Sequence, residues 1–226
     1  IVAVEDATKH AEQNCGTLSF LITSDEEGVA TYGTRYAIDV LANEGIRPDY
    51  CVVGEPSSSE QLGDVVRSGR RGSLNAKLKV IGTQGHVAYP QDANNPIHNV
   101  LAALSALTAK EWDSGNDFYP PTSFQISNIN GGTGATNVIP GELAVDFNFR
   151  FNTEQTAAGL SAGVEEILHN CGVTYAIEWA LSGEPFLTLP GALTAAVTQA
   201  IHFLLYTSDA ADDQTDVHLV GARTLK

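Results

Sequence analysis

Apolar residues along the chain follow two different patterns, and the change between them falls near Gly72. Before it lie short, unbroken apolar runs. Thr17 to Thr23 reads TLSFLIT and predicts a buried strand. Gly28 to Glu44 then places Tyr32, Tyr36, Val40 and Leu41 at helical spacing, with Gly45 as the stop. Tyr50 to Val53 predicts a second buried strand, ended by GEP. Strand, helix and strand in this order predict a parallel α/β sheet. In such sheets functional residues gather at the carboxyl ends of the strands, where TSDEEG and VGEPS both fall.

After Gly72 the period becomes two. Leu74, Ala76, Leu78 and Val80 alternate with Asn75, Lys77 and Lys79, the pattern of a half-buried strand. A helix is expected from Pro96, capped by Asn95, with Ile97, Val100, Leu101, Leu104 and Leu107 on one stripe. Strand patterns return at Ser123 to Ile129 and at Leu143 to Phe151. A helix follows from Glu154 to Asn170, with Gly172 past its end, and a last strand from Val173 to Leu181. The order β-α-β-β-α-β is the ferredoxin-like arrangement, with both helices on one face of the sheet. The expected organisation is a partial parallel-sheet domain at 1–71, an inserted ferredoxin-like domain at 72–183 and a return to the first domain at 184–202. Gly191 to Phe203 is helical in spacing; residues 203–226 keep no period and are expected to be a non-native tail.

Composition narrows the function. Of 226 residues 43% are hydrophobic and 17% charged, an ordinary globular balance. No apolar run nears the roughly 20 residues of a membrane span, and IVAVEDATKH has no basic region of a signal peptide. The chain holds no Met, so Ile1 is read as an edge within a longer protein. A net charge of −15 argues against a broad nucleic-acid surface. Three cysteines, Cys15, Cys51 and Cys171, lie far apart with no CxxC spacing, which fits a reduced, cytosolic protein rather than a disulfide framework. Cys51, within an apolar run, is expected in the core.

Against this acidic background Arg67, Arg70 and Arg71 cluster, either as a site for a small anion or as a solvated turn. Asp25, Glu26 and Glu27 are adjacent at a strand end. Such crowding fits a bound metal, with one carboxylate as ligand and its neighbour as base to a metal-bound water, or else a helix N-terminus that favours acids. Glu55, between Gly54 and Pro56, is either a further ligand or a capping acid. His86, in a Gly-rich turn, can donate to an oxyanion or stand as a plain loop histidine. The segment NGGTGATNVIP at 130–140 is too long for a simple hairpin turn and lacks the lysine of a phosphate loop. Arg150 stands on the polar side of a Phe-rich strand, with Asp146 as a possible ion-pair partner.

Taken in order, FLITSDEEG, VVGEPSS, GDVVRSGRRGS, GTQGHVAYP, ANNPIH, NGGTGATNVIPGEL, FNFRF and LSGEPFLT resemble the zinc-dependent aminoacylase-type hydrolases, and within them the succinyl-diaminopimelate desuccinylase branch. The resemblance implies an α/β zinc-hydrolase catalytic domain with an inserted lid that also forms a homodimer. It implies two zinc ions per subunit, with cobalt as a possible substitute, in a cytoplasmic enzyme of lysine and diaminopimelate biosynthesis. By the same resemblance Glu26 is the general acid/base, and Glu27 and Glu55 are zinc ligands, one per metal. His86 polarises the scissile carbonyl in the partner subunit's site. Arg70, Ser73, Tyr89, Asn137, Arg150 and Ser182 line the substrate pocket, where two guanidinium groups suit a substrate with several carboxylates. The implied reaction releases succinate and LL-2,6-diaminopimelate from an N-succinyl amide.

The family's first His ligand and its bridging Asp precede the DEE motif, and its last His ligand lies near the C-terminus. No matching segment for these stands in residues 1–24 or after His202, where LLYTSDAADD resembles translated adapter sequence. The expectation is therefore a truncated, inactive form. A related deacylase, such as an acetylornithine deacetylase or a dipeptidase, and a non-catalytic dimerisation module are the alternatives.

Overall fold

The structure is a computed structural model that describes residues 16–23, 31–54, 57–61, 63–207 and 218–220. The chain divides into two compact units, 1–49 and 50–226.

In the first unit the described residues form one helix, α1 (Thr34–Asn43). Its end is fixed by Gly45, which takes φ +76°. Ile46 N–H donates to Leu41 O and Gly45 N–H to Ala42 O, closing the last turn as a left-handed C-terminal motif. The strand expected at 17–23 is not formed. No ladder includes these residues, and Leu18, Phe20 and Ile22 are exposed. An apolar run becomes a strand only where a neighbour accepts its backbone hydrogen bonds.

In the second unit β1 (Cys51–Val53) pairs antiparallel with β10 (His218–Val220). The parallel sheet expected for the early segments is thus absent among the described residues. Cys51 is exposed rather than in a core, on a strand of this two-stranded ladder.

The body of the unit is the ferredoxin-like arrangement. Strands β3 (Gly72–Ile81), β5 (Ser123–Gly131), β7 (Glu142–Phe151) and β8 (Tyr175–Gly183) form one antiparallel sheet in the order β5-β7-β3-β8. Helices α2 (Pro96–Ala109) and α3 (Ala157–Asn170) close one face. Alternation decides which face. Leu74, Ala76, Leu78 and Val80 of β3 and Leu143, Val145, Phe147, Phe149 and Phe151 of β7 are buried with Val100, Ala103, Leu107, Leu160, Val164 and Leu168 of the helices. Trp112 packs edge-on against Phe149, ring centroids 4.7 Å apart. The α2 stripe is shifted from expectation. Val100, Ala103 and Leu107 face the sheet, whereas Leu101 is 58% exposed and Ile97 lies at the rim. Asn95 caps α2, its Oδ1 accepting from Ile97 N–H, and Thr156 caps α3 by accepting from Gly159 N–H.

Chain enters and leaves this domain through a two-residue ribbon, β2 (Gly69–Arg70) against β9 (Phe186–Leu187). A second two-residue ribbon pairs β4 (Gly85–His86) with β6 (Val138–Ile139). Helix α4 (Ala192–Thr207) follows β9. Among the described residues no helix is long and apolar enough to cross a membrane.

Candidate functional site

The proposed general base Glu26 and the proposed ligands Glu27 and Glu55 lie outside the described residues. Among the described residues no group of three His, Cys, Asp or Glu gathers as a metal site. The remaining candidates fall into two groups at opposite ends of the four-stranded sheet, with Arg70 in the ribbon at one of those ends.

The first group is His86, Tyr89 and Asn137. β4 follows β3 after a turn in which Gly82 N–H donates to Gly141 O. Thr83 and Asn94 close the loop behind it with reciprocal backbone bonds of 2.8 and 3.0 Å. Gly85 is needed here, because a Cβ would stand 2.6 Å from the Ala93 Cβ. The β4/β6 ribbon sets His86 beside Asn137, whose carbonyl accepts from Val87 N–H. His86 Nδ1 accepts from Ala88 N–H at 3.0 Å. An imidazole whose Nδ1 accepts carries its proton on Nε2. That nitrogen lies 3.4 Å from Asn137 Nδ2, itself a donor, so no hydrogen bond joins the two N–H groups, and the Tyr89 ring flanks the imidazole at 5.9 Å. All three side chains are exposed, so Nε2–H is presented outward as a donor.

The second group is Ser73, Arg150 and Ser182, on the sheet face away from the helices. Ser73 and Arg150 are register partners across β3 and β7. Ser182 sits at a register shift in β8, where Leu181 pairs with Leu74 but Gly183 pairs with Ser73. A bulge of this kind re-aims a side chain. The Arg150 side chain is exposed, and no carboxylate pairs with it among the described residues; the ion pair considered with Asp146 is not formed. Asp146 stands opposite Lys77 in the register instead.

Arg70 pairs with Phe186 in the β2/β9 ribbon. Tyr119, which sequence reading did not single out, reaches this ribbon from the loop after α2. Its hydroxyl donates to Phe186 O at 2.5 Å, and burial pushes its pKa up. No periodicity marks Tyr119, since a loop residue declares its partner only once the loop is folded. Asn75 and Asn148 were also missed. They alternate as polar positions on their strands, and only the register shows that they face each other.

From the Arg150–Ser73 rung to the Glu142–Ile81 rung, next to His86, the chain advances eight residues along β7. At about 3.4 Å per residue the two groups lie about 27 Å apart. One subunit therefore does not bring His86 and Arg150 to one small ligand.

The scan against known families matches residues 68–175 to the peptidase dimerisation domain. The curated relatives are succinyl-diaminopimelate desuccinylases. That of Paracidovorax citrulli is 56% identical over 201 residues, covering 89% of this chain and 52% of that protein. That of Pseudomonas fluorescens is 58% identical over 200 residues, 88% of this chain and 52% of the relative. A third, from Alkalilimnicola ehrlichii, aligns over 100% of this chain and 62% of its own length at 52% identity.

The chain is thus similar along 88–100% of its length to succinyl-diaminopimelate desuccinylases, with residues 68–175 matching the peptidase dimerisation domain.

It spans about half the length of the first of these curated relatives. Among solved structures, an M20 family metallo-carboxypeptidase from Sulfolobus solfataricus gives a TM-score of 0.59 at 12% identity, covering 84% of this chain and 62% of that one. The aminopeptidase PepT of Bacillus cereus gives 0.57 at 15% identity, covering 85% and 54%. At these identities the likeness is one of fold alone.

Proposed function

We propose that the protein to which this chain belongs hydrolyses N-succinyl-LL-2,6-diaminopimelate to succinate and LL-2,6-diaminopimelate in the cytoplasm. The observation that carries this reading is Arg150. In a chain of net charge −15 its guanidinium stands exposed without a carboxylate partner among the described residues, on the strand position paired with Ser73. A guanidinium kept free in an acidic protein suits a carboxylate ligand, which it grips through two parallel hydrogen bonds. Arg70 supplies a second cation for a substrate with several carboxylates.

The proposed donor set of Glu27 and Glu55, carboxylates at two apolar-run ends, has the chemistry to contribute to a zinc pair. When bound, zinc lowers the pKa of a water and polarises the amide. Glu26, adjacent to a ligand, takes the proton of the attacking water and passes it to the leaving amine. His86 holds its Nε2–H for the carbonyl oxygen that gains charge. The family resemblance assigns His86 to the partner subunit's site in a homodimer, and its distance from Arg150 within one subunit fits that assignment. The lid, residues 72–183, is proposed as the dimerising element. It offers β5 as an open edge with Ile129 exposed, and Leu101 of α2 is exposed as well.

The test is a steady-state assay of the full-length protein with zinc, comparing the succinyl substrate with N-acetylornithine and a dipeptide. The succinyl substrate is expected to be turned over with the highest kcat/KM; a preference for acetylornithine or the dipeptide overturns the assignment. Arg150→Lys should raise KM for the succinyl substrate about tenfold or more while retaining its charge, because a point charge does not replace the planar fork. Glu26→Gln should abolish turnover with metal retained, whereas Glu27→Ala should lose metal. Zinc loss in Glu26→Gln, or full zinc and rate in Glu27→Ala, reverses those roles.

The self-contained core of the ferredoxin-like domain favours one further reading, a dimerisation module without catalysis. It predicts a dimer with no zinc uptake.

A further inference from the structure

Asn75 and Asn148 face each other across β3 and β7 on the open side of the sheet. Asn148 Nδ2 donates to Asn75 Oδ1 at 2.8 Å and to Ser73 Oγ at 3.1 Å, with Leu74 O at 3.3 Å. Asn75 Nδ2 donates to Ser182 Oγ at 2.9 Å, with Ala180 O at 3.5 Å. The result is one polarised chain, Asn148 to Ser73 on one side and Asn148 through Asn75 to Ser182 on the other.

Its direction is set by the backbone. A peptide carbonyl only accepts, so the side-chain atom beside Leu74 O and the one beside Ala180 O are both amide nitrogens. Ser182 Oγ therefore receives an N–H from Asn75, and Ser73 Oγ, at 3.1 Å, shares the two Asn148 amide hydrogens with Asn75 Oδ1 and Leu74 O. Each serine keeps its own O–H unspent, since neither donates to an acceptor among the described residues. Ser73 is only 4% exposed. A hydroxyl donor left without an acceptor at that depth is costly, and a ligand that accepts from it removes the cost. The bulge brings Ser182 to the same end of the face, and Arg150 is the register partner of Ser73. This end of the sheet thus offers two O–H donors and one cation to an incoming group.

We propose that Asn75 and Asn148 are positioning residues that lock Ser182 and Ser73 as hydroxyl donors to a ligand carboxylate held by Arg150. This rests on the reading of Arg150 as a carboxylate-binding residue. Without the amides each hydroxyl is free to turn, spend its hydrogen on a neighbouring carbonyl and present lone pairs to the ligand, which a carboxylate rejects. The pair therefore sets the sign of the subsite, acceptor ligands over donor ligands, without touching the ligand itself.

The test titrates succinate into the 226-residue chain and follows the Arg150 Nε–H resonance by NMR. Asn148→Ala and Ser73→Ala should each weaken succinate about fivefold, the worth of one ordinary hydrogen bond. The double variant should lose no more than either single one, because Asn148 acts through Ser73. Asn75→Ala with Ser182→Ala should behave the same way, and Asn75 is exposed, so this arm does not depend on a variant that burdens the core. A purely structural role predicts lower thermal midpoints with unchanged succinate affinity. That outcome, or losses that multiply in the double variants, overturns the proposal. If succinate binds and Arg150→Ala abolishes it while both asparagine variants bind as the parent does, only the asparagine roles fall. If the parent chain does not shift with succinate at all, the carboxylate reading of Arg150 falls and takes the inference with it.

Discussion

Asp113 shows how a single residue can organise a loop. Its Oδ1 accepts from Gly115 N–H, Thr122 N–H and Asn152 Nδ2, at 2.8, 3.0 and 2.7 Å. Asn152, fully buried, also donates to Pro120 O. Burial pushes the Asp113 carboxyl up, but the hydrogen bonds from Thr122, Asn152 and Gly115 outweigh it and hold the pKa below the ordinary 3.8. A depressed acid stabilises the fold above its unfolded pKa, and that contribution is lost as pH falls through the folded value. Asp113→Asn should therefore cost about 1 kcal/mol at pH 6 and flatten the acid limb of stability below about pH 4. Thermal melts from pH 3 to 6 measure both; parallel acid limbs in the two proteins would contradict the assignment.

Among the elements, β7 does the most for the core and the site together. Its inward residues Val145, Phe147, Phe149 and Phe151 are nearly or wholly buried, while its outward residues include Asn148 and Arg150. The two faces are separable by mutation because strand side chains alternate. Phe149→Ala should destabilise by about 3–5 kcal/mol, since it leaves a cavity among Trp112, Phe124 and Phe147. Arg150→Ala, on the open face, should change the unfolding free energy by less than about 0.5 kcal/mol. Urea melts separate the two; a large loss in Arg150→Ala would mean that the side chain supports the fold rather than a ligand. Helix α2 makes the complementary case. Its buried residues are Pro96, Val100, Ala103 and Leu107, so Leu101→Lys should leave the monomer's stability nearly unchanged. The same change should disrupt association if this flank of the helix lies in the dimer contact, which sedimentation velocity reads directly.

For the molecule as a whole, the apolar faces of the segment 72–183 supply one another, with β3 and β7 at the centre and both helices above. Limited proteolysis of the 226-residue chain is expected to leave a protected core mapping to about 72–183. Digestion of that segment with 1–71 surviving would overturn the proposed domain boundary. The exposed Leu18, Phe20 and Ile22 belong to a run that no ladder protects, and cleavage there should come early.

The period-two alternation of β3 and β7, the cap Asn95 and the stop at Gly172 are local signals, and the elements they mark stand where the sequence places them, whereas α3 begins at Ala157 behind its cap Thr156 rather than at Glu154. The likeness to the desuccinylases was likewise legible, because their motifs keep their order along the chain. Tertiary structure decided what depends on distant partners. TLSFLIT has strand composition but finds no ladder among the described residues, and Cys51 is exposed on a two-stranded ladder. Leu101 and Val100 are neighbours in sequence, yet only the packing of α2 on the sheet buries one and exposes the other. The Ser182–Asn75–Asn148–Ser73 chain draws on three strands and a bulge, so no single window of sequence contains it. The separation of His86 from Arg150 is likewise a property of the sheet's length and register, which fix distance where sequence order fixes only identity.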